Sequence, residues 1–374
     1  MISRRKFINK TMIGSIGIVC PSCILSDSKI NDCDYKTTEI MDFNSTPKIE
    51  NHLHLEGAIP YKTLWYLIQK YGGNKDVTNL NQLKEKFKYR DFNHFIEMWV
   101  WKNQFIKEYE DLKIISDAVL KDLIDQNVKY AEIFISPSLF KKKLEIQRIV
   151  EAISESVIKN PGIKINLIVD LVRDYGQENE MITLNEINEV KVLGIIGIGI
   201  GGSENSFPPE LFLDLFEKAR NYGFKTTAHA GEAAGADSIW KAIKKLRVDR
   251  IGHGTRAIED EKLLDYISEH KIPIELCPLS NLRTKVIKSM DEHPFKIFQE
   301  RKIPISINTD DPKMFDNSLA EEYQALMKAF NLNKNDIYTT IIDSINTTWL
   351  NEVEKEKLIY EFKKELGITA HNKN

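Results

Sequence analysis

Residues suited to chemistry are concentrated in a few short stretches of histidine and carboxylate. In Ile49-Glu50-Asn51-His52-Leu53-His54-Leu55-Glu56-Gly57, two histidines stand at i and i+2. Side chains two apart on a strand point the same way. His52 and His54 would therefore aim at one point, as half of a metal site requires. The pair alone is ambiguous, because an H-x-H also arises without function. Four further stretches carry related types: Thr227-Ala228-His229-Ala230-Gly231-Glu232, Ile251-Gly252-His253-Gly254, Cys277-Pro278-Leu279-Ser280-Asn281 and Asn308-Thr309-Asp310-Asp311-Pro312. Each has a plain structural explanation by itself. A His beside Gly bonds within a turn, and Asp-Asp-Pro opens a turn or a helix.

The elements that must position these residues follow from hydrophobic pattern. Runs rich in β-branched residues recur at Ile49–His54, Tyr130–Ile135, Ile163–Asp170, Ile195–Ile200, Lys225–Ala230, Arg250–His253, Pro273–Leu276 and Pro304–Asn308, separated by helical patterns. Eight strands alternating with helices predict an α/β fold, a (β/α)8 TIM barrel over residues 48–370. A helical insertion, residues 55–129, separates strands 1 and 2. Barrel chemistry sits at the C-terminal ends of the strands. The five stretches above end strands 1, 5, 6, 7 and 8. An open doubly wound sheet is the alternative, but Gly197-Ile198-Gly199-Ile200-Gly201-Gly202 is not a G-x-G-x-x-G opening a helix. It reads as a strand ending in a glycine turn. In the insertion, Asp91 is a candidate N-cap, and Phe92, Phe95, Ile96, Trp99 and Ile106 approximate one helical face. That face either packs on the barrel or covers the site as a lid over residues 91–107.

Of 374 residues, 42% are apolar and 29% charged, as in ordinary globular proteins. The net charge of −3 with no basic block argues against nucleic acid and for a small substrate. Residues 1–26 hold Ser3-Arg4-Arg5-Lys6-Phe7, then an apolar run from Met12 to Val19, with no acidic residue before Asp27. This layout resembles a bacterial twin-arginine export signal, implying a periplasmic protein. The run is too short to span a bilayer. Removing residues 1–26 removes four cations, so the charge becomes 48 − 55 = −7. Residues 27–47 read as a polar linker. Cys20 and Cys23 form a C-x-x-C without a second pair; either could accept lipid after cleavage, although the surrounding residues fit that poorly. Cys33 lies in a polar tail and Cys277 in an apolar strand, so no disulfide framework is implied.

In this order, H-L-H-L-E-G, H-A-G-E, G-H-G, C-P-L-S-N and N-T-D-D-P resemble the adenosine/adenine deaminase family of metal-dependent amidohydrolase barrels. The resemblance runs from Lys48 to about residue 365. It implies one Zn2+ per chain held by His52, His54, His229 and Asp310, with a position left for water. Such a site lowers the water's pKa towards ~7. Iron or cobalt would also suit these ligands. Glu232 would protonate purine N1, which needs a carboxyl group kept partly protonated by a dry pocket. His253 would accept the water's proton or stabilise the developing hydroxide. Substrate binding falls to His54, Glu56, Gly202 and Asp311, with Gly202 offering its backbone N–H to N3 and Asp311 bonding N7.

The expected reaction is adenosine to inosine and ammonia, with deoxyadenosine also accepted. Free adenine or another adenosine derivative is the alternative substrate. Glu56 stands where many adenosine deaminases carry Asp against the ribose 5′-hydroxyl, and Gly201-Gly202-Ser203-Glu204 where they often read A-G-D-E. The stretch from Lys285 to Pro294 leans towards the adenine branch. A two-metal relative would need a bridging lysine at the end of strand 4, where Ile200-Gly201-Gly202 has none. An exported, non-catalytic binding protein is the rival of another class, and the complete set of candidate site residues speaks against it.

Overall fold

The structure is a computed structural model that describes residues 41–368. The proposed signal, residues 27–40 of the linker, and Cys20, Cys23 and Cys33 lie outside the described residues. Eight parallel strands follow one another in sequence order: β1 (Lys48–His54), β2 (Val128–Ile135), β3 (Lys164–Val172), β4 (Ile195–Gly201), β5 (Lys225–Ala230), β6 (Arg250–His253), β7 (Ile274–Leu276) and β8 (Ile305–Ile307). The barrel closes where Leu53 bridges Asp310: the His54 N–H donates to Asp310 O and the Asp310 N–H to His52 O, both at 2.9 Å. This is the (β/α)8 barrel expected from the sequence.

Parallel strands covered on both faces read as nearly continuous apolar runs, and every residue of β1 is buried. The helices between them are amphipathic. Helix Ile146–Lys159 buries Ile146, Ile149, Val150 and Ile153, the i, i+3, i+4, i+7 stripe that meets a sheet.

Strand ends differ from expectation by one or two residues, and two differences lie near the cluster of candidate ligands. β3 continues two residues past Asp170. Cys277 lies just beyond β7 as the N-terminal cap of the short helix Pro278–Arg283, a buried free thiol. The last linker residues also belong to the barrel: Thr46 is buried, and the Lys48 ammonium donates to the Phe43 and Thr46 carbonyls at 2.6 Å.

The insertion folds as α1 (Tyr61–Lys70), α2 (Leu80–Lys86), α3 (Phe92–Asn103) and α4 (Tyr109–Asp125). Asp91 caps α3, accepting from the His94 N–H at 2.9 Å. Asp111 of α4 takes Lys70 at 2.7 Å and the Tyr71 hydroxyl at 2.5 Å, tying α1 to α4. Phe95 stacks on Phe315 at 5.1 Å, holding α3 over the C-terminal rim. Ile106 follows the end of α3 and is buried.

At the N-terminal end of the barrel, Arg250 is buried between Glu132 at 2.5 Å and Glu275 at 2.6 Å, with its guanidinium 3.7 Å above the Trp349 ring. A buried charge is tolerated only when partnered in this way. A Cβ on Gly197 would lie 2.4 Å from the same indole, so β4 is glycine there to admit the Trp349 ring.

Candidate active site

At the opposite end of the barrel, three imidazoles and one carboxylate converge. His52 Nε2 is 3.0 Å and His54 Nε2 3.1 Å from His229 Nε2. Asp310 Oδ1 is 3.6 Å from His52 Nε2 and 3.4 Å from His54 Nε2. Four ligands about 2.0–2.1 Å from a tetrahedral zinc stand roughly 3.3 Å apart, so these residues fit the ion. His52, His229, His253 and Asp310 also offer atoms within 4.8 Å of one another. His253 is nevertheless the outer member. Its Nε2 is 4.0 Å from Asp310 Oδ2 and nearer, at 3.6 Å, to Glu232 Oε2.

The outward nitrogens show how the ligands are held. His52 Nδ1–H donates to Glu275 Oε2 at 2.7 Å, and Glu275 is held in turn by Arg250. His229 Nδ1–H donates to the Ile200 carbonyl at 3.1 Å. Both bonds leave Nε2 lone pairs facing inward, the arrangement a metal-ligating imidazole needs. Ser280 Oγ donates to Asp310 Oδ2 at 2.6 Å, fixing the carboxylate rotation. Burial holds His52 and His54 well below the ordinary imidazole range and His229 down to about 4, so all three are neutral at pH 7. Asp310 and His253 both take left-handed backbone, φ +64° and +61°, a strain that non-glycine residues retain at functional sites.

Glu232 and His253 face this cluster. Burial, then the Asp310 and Glu204 carboxylates, push Glu232 well above the usual carboxyl range. Its loop is clamped by Glu204, which accepts from the backbone N–H groups of Gly231 (2.7 Å), Ala233 (2.9 Å), Ala234 (2.8 Å) and Glu232 itself (3.3 Å). The hydrogen-bond network also sets the tautomer of His253. Thr255 Oγ1 donates to Asn281 Oδ1 at 2.8 Å, so Asn281 Nδ2 donates to His253 Nδ1 at 3.2 Å. The proton of neutral His253 is therefore on Nε2, which points at Glu232 and Asp310.

Asp311 approaches through Gly57, where a Cβ would collide with its Oδ1 at 1.6 Å. That contact explains the glycine closing H-L-H-L-E-G. Gly202 has φ +105°, open to glycine and strained for other residues. Both Asp311 and Gly202 line a cavity of about 960 Å³, its open mouth included, with His54, His229, Glu232, His253 and Asp310. Phe92, Phe95, Ile96, Trp99 and Val100 of α3 form its outer wall. Glu56 is buried beside the cavity and does not line it; its Oε1 accepts from the Ser136 N–H at 2.9 Å.

Three residues that sequence reasoning missed act here. Glu275 orients His52, Glu204 carries the Glu232 loop, and Asp170 lines the cavity beside His54. The signals were present: Glu275 is the one charge in the apolar β7, and Asp170 closes an apolar run.

The sequence profile of the adenosine deaminase family matches residues 47–365. An adenine deaminase of Chlorobium phaeobacteroides is 32% identical over 84% of this chain and 94% of its own length. An aminodeoxyfutalosine deaminase of Streptomyces avermitilis is 30% identical over 84% of this chain and 90% of its own. An adenosine deaminase of Shewanella denitrificans is 34% identical over 75% of this chain and 88% of its own. The crystal structure of an adenine deaminase from Arthrobacter aurescens shares the fold, with a TM-score of 0.82 at 24% identity over 86% of this chain and 99% of its own. The chain belongs to the adenosine deaminase family, the hydrolytic deaminases of purines.

Proposed function

We propose that the protein deaminates adenosine to inosine and ammonia, with zinc as its metal. The single observation behind this choice is the cavity lining. Its residues include Asp170, Asp174, Glu204, Glu232, Asp310 and Asp311 and, among the described residues, no Lys or Arg. With no Lys or Arg in the lining, no side chain there pairs with a phosphate, so the substrate is uncharged rather than a nucleotide.

When bound, the metal supplies Lewis acidity, making water acidic enough to react at neutral pH. The chain's own residues do the rest. Glu232, kept neutral by burial, donates its proton to N1 and makes C6 electrophilic. With Asn281 fixing its tautomer, His253 presents Nε2–H as a donor to negative charge developing at C6, a stabilising rather than basic role. Asp311 is also raised well above its ordinary range by burial and then by Asp310. It thus keeps the proton that N7 of a nucleoside, an acceptor only, requires. Gly202 gives its N–H to N3. Left as a carboxylate by protonating N1, Glu232 takes the proton that the attacking water loses and passes it to the departing ammonia beside His253, 3.6 Å away, and it regains its own proton from the C6 hydroxyl as C6=O forms.

Free adenine is the second reading. Glu56, which would read a sugar hydroxyl, is bonded to Ser136 and stands outside the cavity lining. Export by the twin-arginine route completes the proposal, and cell fractionation with Arg4 and Arg5 replaced by Lys tests it. Substrate choice is tested by ammonia release from adenosine, 2′-deoxyadenosine, adenine and AMP in parallel. Adenosine should give the highest kcat/KM and AMP the lowest. Turnover of adenine alone would replace the first reading by the second, and preference for AMP would contradict both.

A further inference from the structure

We infer that Asp170 is a substrate-reading residue, accepting a hydrogen bond from the group at the N9 end of the purine. The inference rests on the purine deaminase reading above. Asp170 lies near the C-terminal end of β3, is 5% exposed and lines the cavity. Its Oδ2 is 3.8 Å from His54 Nδ1 and its Oδ1 3.9 Å from His229 Nδ1. Oδ1 has no hydrogen-bond partner within the protein.

β4 is cleared for this carboxylate. A Cβ on Gly201 would stand 2.7 Å from Oδ2, and one on Gly199 would stand 3.0 Å from Oδ1 and 2.6 Å from the Phe134 ring. An unpartnered buried carboxylate oxygen is costly. A chain that keeps one in a carboxylate lining the cavity, and empties the facing strand around it, uses that carboxylate towards something other than itself.

Position then selects the partner. Gly201 precedes Gly202, whose N–H is assigned to N3, and N9 is the next ring nitrogen beyond N3. N1 and N7 belong to Glu232 and Asp311, and C6 faces the metal ligands. Asp170 therefore meets what the N9 end carries: N9–H in free adenine, a sugar hydroxyl in a nucleoside. The carboxyl group accepts such a donor through whichever oxygen carries no proton.

A purely supporting role, orienting His54, predicts differently, and the two are separated with zinc-loaded enzyme. Wild type, Asp170→Ala and Asp170→Asn are compared, with metal per chain and unfolding midpoint measured first. Then kcat/KM and calorimetric affinity are taken for adenine, adenosine and 2′-, 3′- and 5′-deoxyadenosine. Asp170→Ala should lose about 10- to 100-fold on substrates bearing the donor and less than about threefold on one that lacks it. Loss on adenine identifies N9–H; loss on the nucleosides except one deoxy analogue identifies that hydroxyl. Asp170→Asn, which keeps one acceptor oxygen, should show the same selectivity at smaller size and decides the matter if the alanine variant does not fold. An equal loss on all five, or one explained by falling metal content, overturns the inference. Wild type that neither binds nor deaminates any of the five overturns the purine reading and the inference together. Wild-type turnover with an unselective variant overturns the inference alone.

Discussion

The two ends of the cavity are built on different rules. At the metal end the protein closes most of its own contacts, His52 on Glu275, Glu275 on Arg250, His229 on Ile200, Asp310 on Ser280 and the Glu232 loop on Glu204, leaving only His54 Nδ1 and His253 Nε2 open among the site's described ring nitrogens. Where the purine's five-membered ring is proposed to lie, carboxylate oxygens are left open. Asp170 Oδ1 and Asp311 Oδ1, of two carboxyl groups that line the cavity, are buried without a partner in the protein. A preorganised end costs no rearrangement when charge develops in the reaction. An end with unpaired polar groups chooses among ligands, because a ligand lacking the matching partner leaves them unpaired. Turnover should therefore depend on the first end and selectivity on the second.

Substitutions can break this division, and the largest effect belongs to Glu232. Glu232→Gln should lower kcat by about 10²–10⁴ with metal content unchanged; near-normal turnover would remove Glu232 from the chemistry. Next comes Glu275→Ala, remote from substrate, which should weaken metal affinity about 10- to 100-fold, read by competition with a chelator. Unchanged affinity would show that the Arg250–Glu275–His52 chain does not organise the metal end. Glu204→Gln should lower kcat about tenfold by leaving backbone N–H groups of the Glu232 loop unpaired, with the metal retained. A change in substrate preference instead would place Glu204 at the other end.

The smallest effect concerns stability. Burial holds His293 neutral, its pKa down to about 3. Between 6.5 and that value the unfolded chain binds a proton that the folded chain refuses, so stability falls as pH falls. The contribution is roughly 2 kcal/mol between pH 7 and 5. His293→Asn should flatten urea-unfolding stability over this interval by about that amount. An unchanged slope would assign acid sensitivity to the site histidines.

The barrel was legible because its strands are short β-branched runs whose ends carry the histidines. β5 and β6 were placed to the residue, and only the outer residues of other strands shifted. His52 and His54 could be paired from strand periodicity alone. The residues that hold them could not. Glu275 is 223 positions from His52 in the chain, and only barrel closure brings them together. Asp170 was overlooked because its surroundings come from β1, β4 and β5. The glycines of β4 were visible as a turn, but the carboxylate they make room for was not. Glu56 shows the converse. Its motif placed it against a sugar, whereas the fold spends one of its oxygens on Ser136.

The central claim is that water replaces the amino group at C6 of an uncharged purine. Running the zinc-loaded enzyme with adenosine in ¹⁸O-enriched water tests it most directly. One labelled oxygen should appear as the C6 carbonyl oxygen of inosine, with one ammonia released per product. Unlabelled inosine, or adenosine consumed without ammonia, would contradict it.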